Sequence, residues 1–283
     1  MLILATVTAA AGVGQTYDLK SGVVQQGETL QVRGGPEAAS ARMNGRTITL
    51  FPQTDGRSFG LMPVPALEPP GTYDLEWLDT GGQTLHRQTV TVRDARFPRQ
   101  NIRIGKTISS LKPSPGEMQT VAAFRKGISD LRHWDEPLAL PVPGCMTSRY
   151  GVQRLHNGKP TGNYHGGIDQ RGAEGQPVRA VAGGVARVVR MFNIHGGTVG
   201  LDHGQGLSSI YLHMSKFTVP EGETVKKGDV IGYVGSTGRS TAPHLHWSLY
   251  ANGVAVNPAH WVKLTPCAAP KRGSGKKGPV RNR

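Results

Sequence analysis

Long hydrophobic runs and cysteine are scarce in this sequence, and their scarcity narrows the classes of protein that it can belong to. After the opening residues MLILATVTAAAGVGQ, no stretch reaches 18 consecutive apolar residues, so we expect no transmembrane span. Only Cys145 and Cys267 are present, which allows one disulfide outside the cytosol or two buried thiols. No His-Glu-x-x-His segment occurs, which excludes a zinc protease site of that helical type.

Acidic residues are also few. The chain has 33 Lys and Arg against 19 Asp and Glu, and its net charge of +14 indicates anionic partners, either nucleic acid or an acidic cell envelope. Residues 266–283 carry part of this charge without any acid and with little apolar surface, so we predict a disordered tail. Such a tail either binds anionic polymers or is simply solvated. Its basic residues are Lys271, Arg272, Lys276, Lys277, Arg281 and Arg283.

The opening segment, residues 1–20, resembles an export signal. An uncharged apolar run is followed by Ala9, Ala10 and Ala11, which fits the apolar core and cleavage site of a secretory signal, although a basic start is missing. A first β-strand is the alternative interpretation. The export interpretation favours a disulfide over free thiols.

Glycine and proline are common, at 39 and 20 residues, which favours turns and strands over long helices. We predict a mainly β protein of two domains. Residues 21–95 contain short alternating segments, and Asn44-Gly45 is a strong signal for a two-residue hairpin turn. This region is predicted to be a β-sandwich, with an immunoglobulin-like topology suggested by the number of strands alone.

Residues 96–143 are predicted to be a linker with one helix. Ser114, Pro115 and Glu117 match a helix start in which Ser and Glu cap each other. An apolar stripe predicts the buried face of the helix. It consists of Met118, Val121, Phe124, Ile128 and Leu131. The prolines of LALPVPG mark a boundary near residue 140.

Residues 144–265 are again predicted to be strands, and nine of the ten histidines lie from His133 onward. In NYHGGIDQ, His165 and Asp169 offer a nitrogen and an oxygen that suit Zn²⁺. In TAPHLHW, His244 and His246 project from one face of a strand while Leu245 points to the core. His213 ends a third predicted strand.

Together these groups number five, whereas a catalytic zinc takes three protein ligands. The two surplus groups are available to move a proton and to stabilise an oxyanion. Taken singly, the motifs are compatible with ordinary surface or structural residues. In combination they predict a zinc-dependent hydrolytic site.

In order along the chain, the motifs SRYG, HGGID, PVRAVAGGVA, LDHGQGLSSIYLHMS, VKKGDVIGYVGSTGRSTAPHLHW and NPAHWV resemble the M23 (LytM and lysostaphin-like) zinc endopeptidases of peptidoglycan. The resemblance covers about residues 144–262 and implies an antiparallel β-sheet domain of the LytM type. It implies that His165, Asp169 and His246 bind zinc, and that His213 and His244 are catalytic without binding it. Two departures from the family pattern, Ala242 before Pro243 and Trp247-Ser248 after the last histidine, are expected not to contact a ligand.

The function implied by the resemblance is hydrolysis of peptide bonds in peptidoglycan, in the periplasm or after secretion, with no nucleic acid as partner. Relatives that have lost ligands act only as activators, so a catalytically silent wall-binding module is the alternative. A carrier domain is a third interpretation of VPEGETVKKGDVIGYVGSTG, but no lysine stands at its turn tip. Cys145 and Cys267 flank the domain and are predicted to form a disulfide. Structural roles are expected for His156, His195, His203 and His260.

Overall fold

The computed structural model describes residues 17–102 and 110–268. Within this part of the chain the fold is mainly β with a single α-helix, which confirms the predicted fold class. Residues 1–16 of the signal-like segment and residues 269–283 of the basic tail lie outside the described residues, so both interpretations stay predictions. No described helix is long and apolar enough to cross a bilayer.

The N-terminal strands form two sheets, one of four strands in the order β1-β3-β7-β6 and one of five in the order β2-β9-β8-β4-β5. Their bounds are β1 Asp18–Leu19, β2 Val23–Gln25, β3 Thr29–Gly34, β4 Ser40–Met43, β5 Arg46–Thr49, β6 Phe51–Pro52, β7 Ser58–Pro63, β8 Gly71–Leu78 and β9 Thr84–Arg93. Buried side chains of both sheets make one core around Trp77, which is the sandwich that the sequence predicts. The immunoglobulin-like topology stays a prediction.

The hairpin predicted at Asn44-Gly45 joins β4 to β5. Both turn residues have positive φ, 46° for Asn44 and 70° for Gly45, as a type I′ turn requires. Strands β4 and β5 pair antiparallel on either side of the turn, with Met43 opposite Arg46. The prediction of a two-residue hairpin turn at Asn44-Gly45 is therefore confirmed.

After the sandwich, β10 (Arg99–Ile102) pairs parallel with β12 (Gln153–His156), and α1 spans Glu117–Lys126. The predicted stripe is only partly buried, because Ile128 and Leu131 lie beyond the end of the helix at Lys126 and Met118 lies on its exposed side. Val121 and Phe124 pack into the protein. Met118, Ile128 and Leu131 are exposed, so the prediction is wrong for these three.

The C-terminal region is built on an antiparallel sheet in the order β11-β14-β22-β18-β17-β16-β20, with β23 beside β22. The antiparallel sheet predicted for this region is confirmed. Its strands are β11 Met146–Ser148, β14 Ile168–Arg171, β16 Gly184–Phe192, β17 Gly196–Gly204, β18 Leu207–Met214, β20 Thr224–Val225, β22 His244–Ala251 and β23 Val254–Val256.

Two small sheets flank this antiparallel sheet. The first joins β10 and β12 to β13 (Lys159–Tyr164), and the second joins β15 (Pro177–Arg179), β21 (Val230–Tyr233) and β19 (Lys216–Phe217). A short 3-10 turn, Pro258–His260, follows β23. The predicted disulfide is confirmed: Cys145 and Cys267 are bonded, with Cα atoms 4.9 Å apart.

Candidate metal centre

Three neighbouring strands, β14, β22 and β18, position the predicted site residues. In the register of β14 and β22, Asp169 lies directly opposite His246, and residues opposed in this way have Cβ atoms about 5 Å apart. On the other side of β22, His246 lies opposite Leu212, so the next residue, His213, comes to the same end of the sheet. The side chain of Leu245 is fully buried, which confirms that His244 and His246 share the opposite face.

His165 reaches this face from just before β14. It is followed by Gly166 and Gly167, and a Cβ on Gly167 would lie 2.3 Å from the Trp247 carbonyl oxygen and 2.8 Å from His246 Nε2. Such contacts are far inside van der Waals distance, so only glycine lets the chain pass this close to β22. Gly167 therefore allows the imidazole of His165 to lie against that of His246.

His165, Asp169 and His246 form a group whose ligand atoms lie within 4.8 Å of one another. His165 Nε2 is 3.1 Å from Asp169 Oδ1 and 3.0 Å from His246 Nδ1. His246 Nδ1 is 2.8 Å from the same Asp169 oxygen. Ligands of a tetrahedral ion with bonds of about 2.1 Å stand roughly 3.4 Å apart, so these separations suit a zinc ion.

Hydrogen bonds on the far sides of the two rings fix which nitrogens face the group. His165 Nδ1 lies 2.7 Å from the Arg149 carbonyl oxygen, which can only accept, so Nδ1 carries the proton. In a neutral ring, Nε2 then presents a lone pair to the Asp169 carboxylate. Two lone pairs facing each other at this distance repel, and a cation between them removes the repulsion. The chemistry of the donor set therefore fits a metal.

His246 is held in the reverse orientation, with Nδ1 toward the group and Nε2 3.1 Å from Ser248 Oγ. Ser248 is buried, and it lies two residues along the same strand face. The expectation that neither departure from the family pattern contacts a ligand is wrong for this residue. Because i and i+2 residues share a strand face, the spacing alone could have placed Ser248 beside His246.

The electrostatics of the group favour an ionised carboxylate beside neutral imidazoles. Burial opposes ionisation of Asp169, but the close approach of the His165 and His246 rings holds its pKa well below its usual value. Burial lowers the pKa of His246 to about 4. Arg154 Nη2 lies 3.6 Å from Asp169 Oδ2, a contact that the sequence did not indicate.

His213 and His244 lie beside the group with ring centroids 5.0 Å apart. Each places Nδ1 at 2.8 Å from a carbonyl oxygen, that of Thr237 for His213 and that of Ala242 for His244. Both Nδ1 atoms therefore carry protons, and in the neutral rings both Nε2 atoms are proton acceptors. His244 Nε2 is 3.8 Å from Asp169 Oδ1.

His213 is also distinctive in its backbone and its environment. Its φ is 64°, which costs a residue with a Cβ of order 1 kcal/mol or more and is met mostly where the surroundings enforce it. Burial, followed by the charges of His246 and His244, lowers the pKa of His213 to about 3. The imidazole is therefore neutral near pH 7.

The remaining described histidines lie away from this group. His203 is fully buried and bonded to the Gly183 carbonyl oxygen and Ser209 Oγ. His195 contacts Glu117, and His260 lies 3.6 Å from Glu28. These contacts agree with the structural roles expected for the three residues. The side chain of His156 lies outside the described part of the chain.

The sequence matches a known family at this region. Residues 163–258 match the sequence model described as Peptidase family M23. The DD-carboxypeptidase/endopeptidase Mpg of Neisseria meningitidis serogroup B is 43% identical over 121 residues, 43% of this chain. The peptidoglycan DD-endopeptidase ShyA of Vibrio cholerae is 37% identical over 112 residues, 40% of this chain. These matches cover 28% and 26% of the two relatives.

A solved structure matches over more of the chain. A crystal structure of a Pseudomonas aeruginosa protein assigned to peptidase M23 superposes with a TM-score of 0.62 at 26% identity. The match covers 83% of this chain and 93% of that protein, so it includes residues well beyond the 163–258 region. The likeness in fold therefore extends outside the sheet that carries the histidines.

Proposed function

We propose that the chain is a zinc-dependent endopeptidase that hydrolyses peptide bonds of peptidoglycan, with residues 163–258, which match the model of peptidase family M23, as its catalytic part. The observation that carries this proposal is the convergence of His165, Asp169 and His246 on one point. The scissile bonds belong to stem-peptide crosslinks or to the bridges between them.

In this proposal His165 Nε2, Asp169 Oδ1 and His246 Nδ1 would hold a zinc ion. When bound there, the ion would supply a positive charge that polarises the scissile carbonyl and makes water a better nucleophile near neutral pH. The protein's part is to keep the two imidazoles deprotonated on the inner nitrogen, which the Arg149 carbonyl requires for His165 and which Ser248 Oγ, as an acceptor, permits for His246.

His213 and His244 handle the proton and the developing negative charge. Both present Nε2 to the site as the only unprotonated nitrogen of the neutral ring, because Nδ1–H is bonded to a carbonyl. One Nε2 accepts the proton as the water oxygen attacks the carbonyl carbon, and that proton then goes to the leaving amide nitrogen as the C–N bond breaks. The other ring stabilises the oxyanion only as an imidazolium, in which a second proton, taken up from solvent before the attack, makes Nε2 a donor.

The cell envelope is the compartment in which this chain would act. The relatives Mpg and ShyA are named for endopeptidase activity, and the name of ShyA states peptidoglycan as its substrate. The Cys145–Cys267 disulfide supports the same compartment, since such bonds persist outside the reducing cytosol. The periplasm and the extracellular space both meet this condition.

A catalytically silent wall-binding module is the second candidate. Such a module needs neither a complete ligand set nor two further imidazoles with oriented Nε2 atoms. Because all five groups converge in this chain, the arrangement favours the enzyme. The two candidates differ in whether defined muropeptides are cleaved.

The test digests crosslinked muropeptides, with direct and with glycine-bridged links, by the wild type and by His246→Ala and His244→Ala. We expect His246→Ala to lose zinc and activity, because it removes a ligand. His244→Ala should retain zinc and lose activity by about 100-fold or more. Zinc is measured by mass spectrometry of the purified protein.

His86→Ala is the matched control, since His86 lies in the sandwich stacked on Tyr17 and is far from the site in the fold. It should leave both zinc and activity unchanged. Equal loss of zinc in His246→Ala and His244→Ala would contradict the division of roles. Full zinc occupancy with no cleavage of any muropeptide would favour the silent module.

A further inference from the structure

Glu117, the first residue of helix α1, accepts hydrogen bonds from the backbone of a loop about 77 residues further along the chain. Three consecutive N–H groups of residues 193–195 point toward the start of α1. The N–H of Asn193 donates to Ser114 Oγ at 2.8 Å. Those of Ile194 and His195 donate to Glu117 Oε1 at 3.0 and 2.9 Å.

The Glu117 carboxylate is fully buried and uses both of its oxygens. Oε1 also accepts from His195 Nδ1 at 2.6 Å, and Oε2 accepts from the Ser114 N–H at 2.7 Å. Burial raises the cost of ionisation, but these hydrogen bonds outweigh it and lower the pKa of Glu117. Hydrogen bonds to an ionised acceptor are about twice as strong as neutral ones, so the loop is held firmly.

The same two side chains were predicted from sequence to cap the helix. The structure shows one half of that arrangement, the bond from the Ser114 N–H to Glu117. Ser114 Oγ instead accepts from Asn193, and the helix cap position is Gly116. The capping pair therefore serves mainly to attach residues 193–195 to the helix.

The attached loop contacts His213 directly. The His213 N–H donates to the His195 carbonyl oxygen at 3.0 Å, which helps to hold the positive φ of His213. Beyond His195, a Cβ on Gly196 would lie 2.4 Å from the Thr237 carbonyl oxygen. That oxygen is the one that accepts from His213 Nδ1. The loop thus touches both the backbone and the side-chain partner of His213.

We infer that Glu117 is a positioning residue that, through residues 193–197, fixes the backbone and the ring orientation of His213. The inference rests on the proposed function, in which His213 Nε2 acts on the reacting groups. Without the carboxylate, four part-buried donors lose their acceptor and the loop must move to reach water. His213 then loses a restraint on its positive φ, and Nε2 leaves its place beside the site. The zinc ligands come from β14, β22 and the residues before β14, so metal binding is unaffected.

The experiment compares Glu117→Gln, Glu117→Ala and the milder Ser114→Ala with the wild type. We expect kcat on a crosslinked muropeptide to fall about 10- to 100-fold in Glu117→Gln, with KM and zinc content unchanged. Hydrogen exchange measured by mass spectrometry should rise in residues 193–197 and around His213. The ¹⁵N shifts of the His213 ring should show loss of the single Nδ1–H form. Ser114→Ala should change all of these in the same direction, but less.

Glu68→Gln is the matched control, because Glu68 is a buried carboxylate of the sandwich that is paired with Arg46. It should leave kcat, the His213 ring shifts and the exchange of residues 193–197 unchanged. A normal kcat in Glu117→Gln and Glu117→Ala would overturn the inference, as would a kcat loss accompanied by equal exchange across the whole sheet. If the wild type cleaves no muropeptide, the proposed function fails, and unchanged exchange and ring shifts would still overturn the inference separately.

Discussion

The sandwich and the histidine-bearing sheet are both made of short strands over an apolar core, yet they bury different side chains. Among the described residues of the sandwich strands and their loops, the buried polar residues are Ser58 and Glu68. The C-terminal sheet and its loops bury many more. They are His165, Gln170, Thr198, Asp202, His203, Gln205, Ser208, Ser209, His213 and Ser248. Burial of polar groups destabilises a fold unless each is hydrogen-bonded, so the C-terminal region depends on internal side-chain hydrogen bonds more than the sandwich does.

The largest predicted difference in stability between the two regions concerns the disulfide, because both of its cysteines belong to the C-terminal region. It closes a loop with a sequence separation of 122. Replacing both cysteines by serine should lower the free energy of unfolding of this region by about 4 to 5 kcal/mol in the chain-entropy model. Hydrogen exchange during urea titration should show less protection in 196–204 and 244–251, with 84–93 unchanged. Equal losses in all three segments would show that the two regions unfold as one unit.

The buried His203 offers a second, pH-dependent effect of about 3 kcal/mol. Burial lowers its pKa to about 4, despite the Gly183 carbonyl bond and the nearby Asp202 carboxylate, which raise it, and His133 lowers it further. In the unfolded chain the pKa is about 6.5. Between these values only the unfolded state takes up the proton, so stability falls as pH drops from 6.5 toward 4.

The measurement is the urea midpoint of the metal-free protein from pH 7.5 to pH 4, for the wild type and His203→Gln. The variant should lose about 3 kcal/mol less over this range than the wild type, whatever its stability at pH 7.5. His86→Gln in the sandwich serves as the control for removing a histidine that is not fully buried. Parallel profiles for wild type and His203→Gln would contradict the assignment.

The smallest effect concerns Ser248, which holds the outer nitrogen of His246. Ser248→Ala should weaken zinc binding about 10-fold, because the outer hydrogen bond of a ligating imidazole fixes its orientation and basicity. Competition with a chelator measures the zinc affinity. Ser58→Ala, a buried serine of the sandwich, is the control and should leave it unchanged. An unchanged affinity in Ser248→Ala would mean that β22 alone orients His246.

Local patterns predicted much of this fold, since they depend only on neighbouring residues. The Asn44-Gly45 turn and the opposite faces of Leu245 and its flanking histidines follow from positive φ and from the two-residue repeat of a strand. The helical stripe failed because α1 stops at Lys126, before two of the residues assigned to it. Arg125, Lys126 and Gly127 form a helix-stop pattern that marks this end, and the stripe assigned to the helix extended past it.

The contacts of the site were predictable only where the strand register follows from local geometry. Ser248 lies two residues from His246, so its contact could have been foreseen. Glu117 and His195 are 78 residues apart, and Arg154 meets Asp169 across a different sheet. Such contacts depend on how the elements pack, which a single sequence does not state. The five central residues were singled out by their side-chain chemistry and spacing, and their division into three ligands and two catalytic histidines came from a resemblance that covers several motifs in order.

The packing of residues 134–142 also bears on how this chain could have been assembled in evolution. Trp134, Leu138 and Val142 belong to the same core as Trp247 and Leu249, and β10 completes the edge of β12. The core of the histidine-bearing sheet therefore includes residues that precede residue 144. A gene fusion that carried only the family-matched segment into another protein would leave behind part of the core and the helix that holds Glu117. The unit that packs as one core is the sheet together with its preceding linker and with Phe59, Leu61 and Ala66 from the N-terminal region.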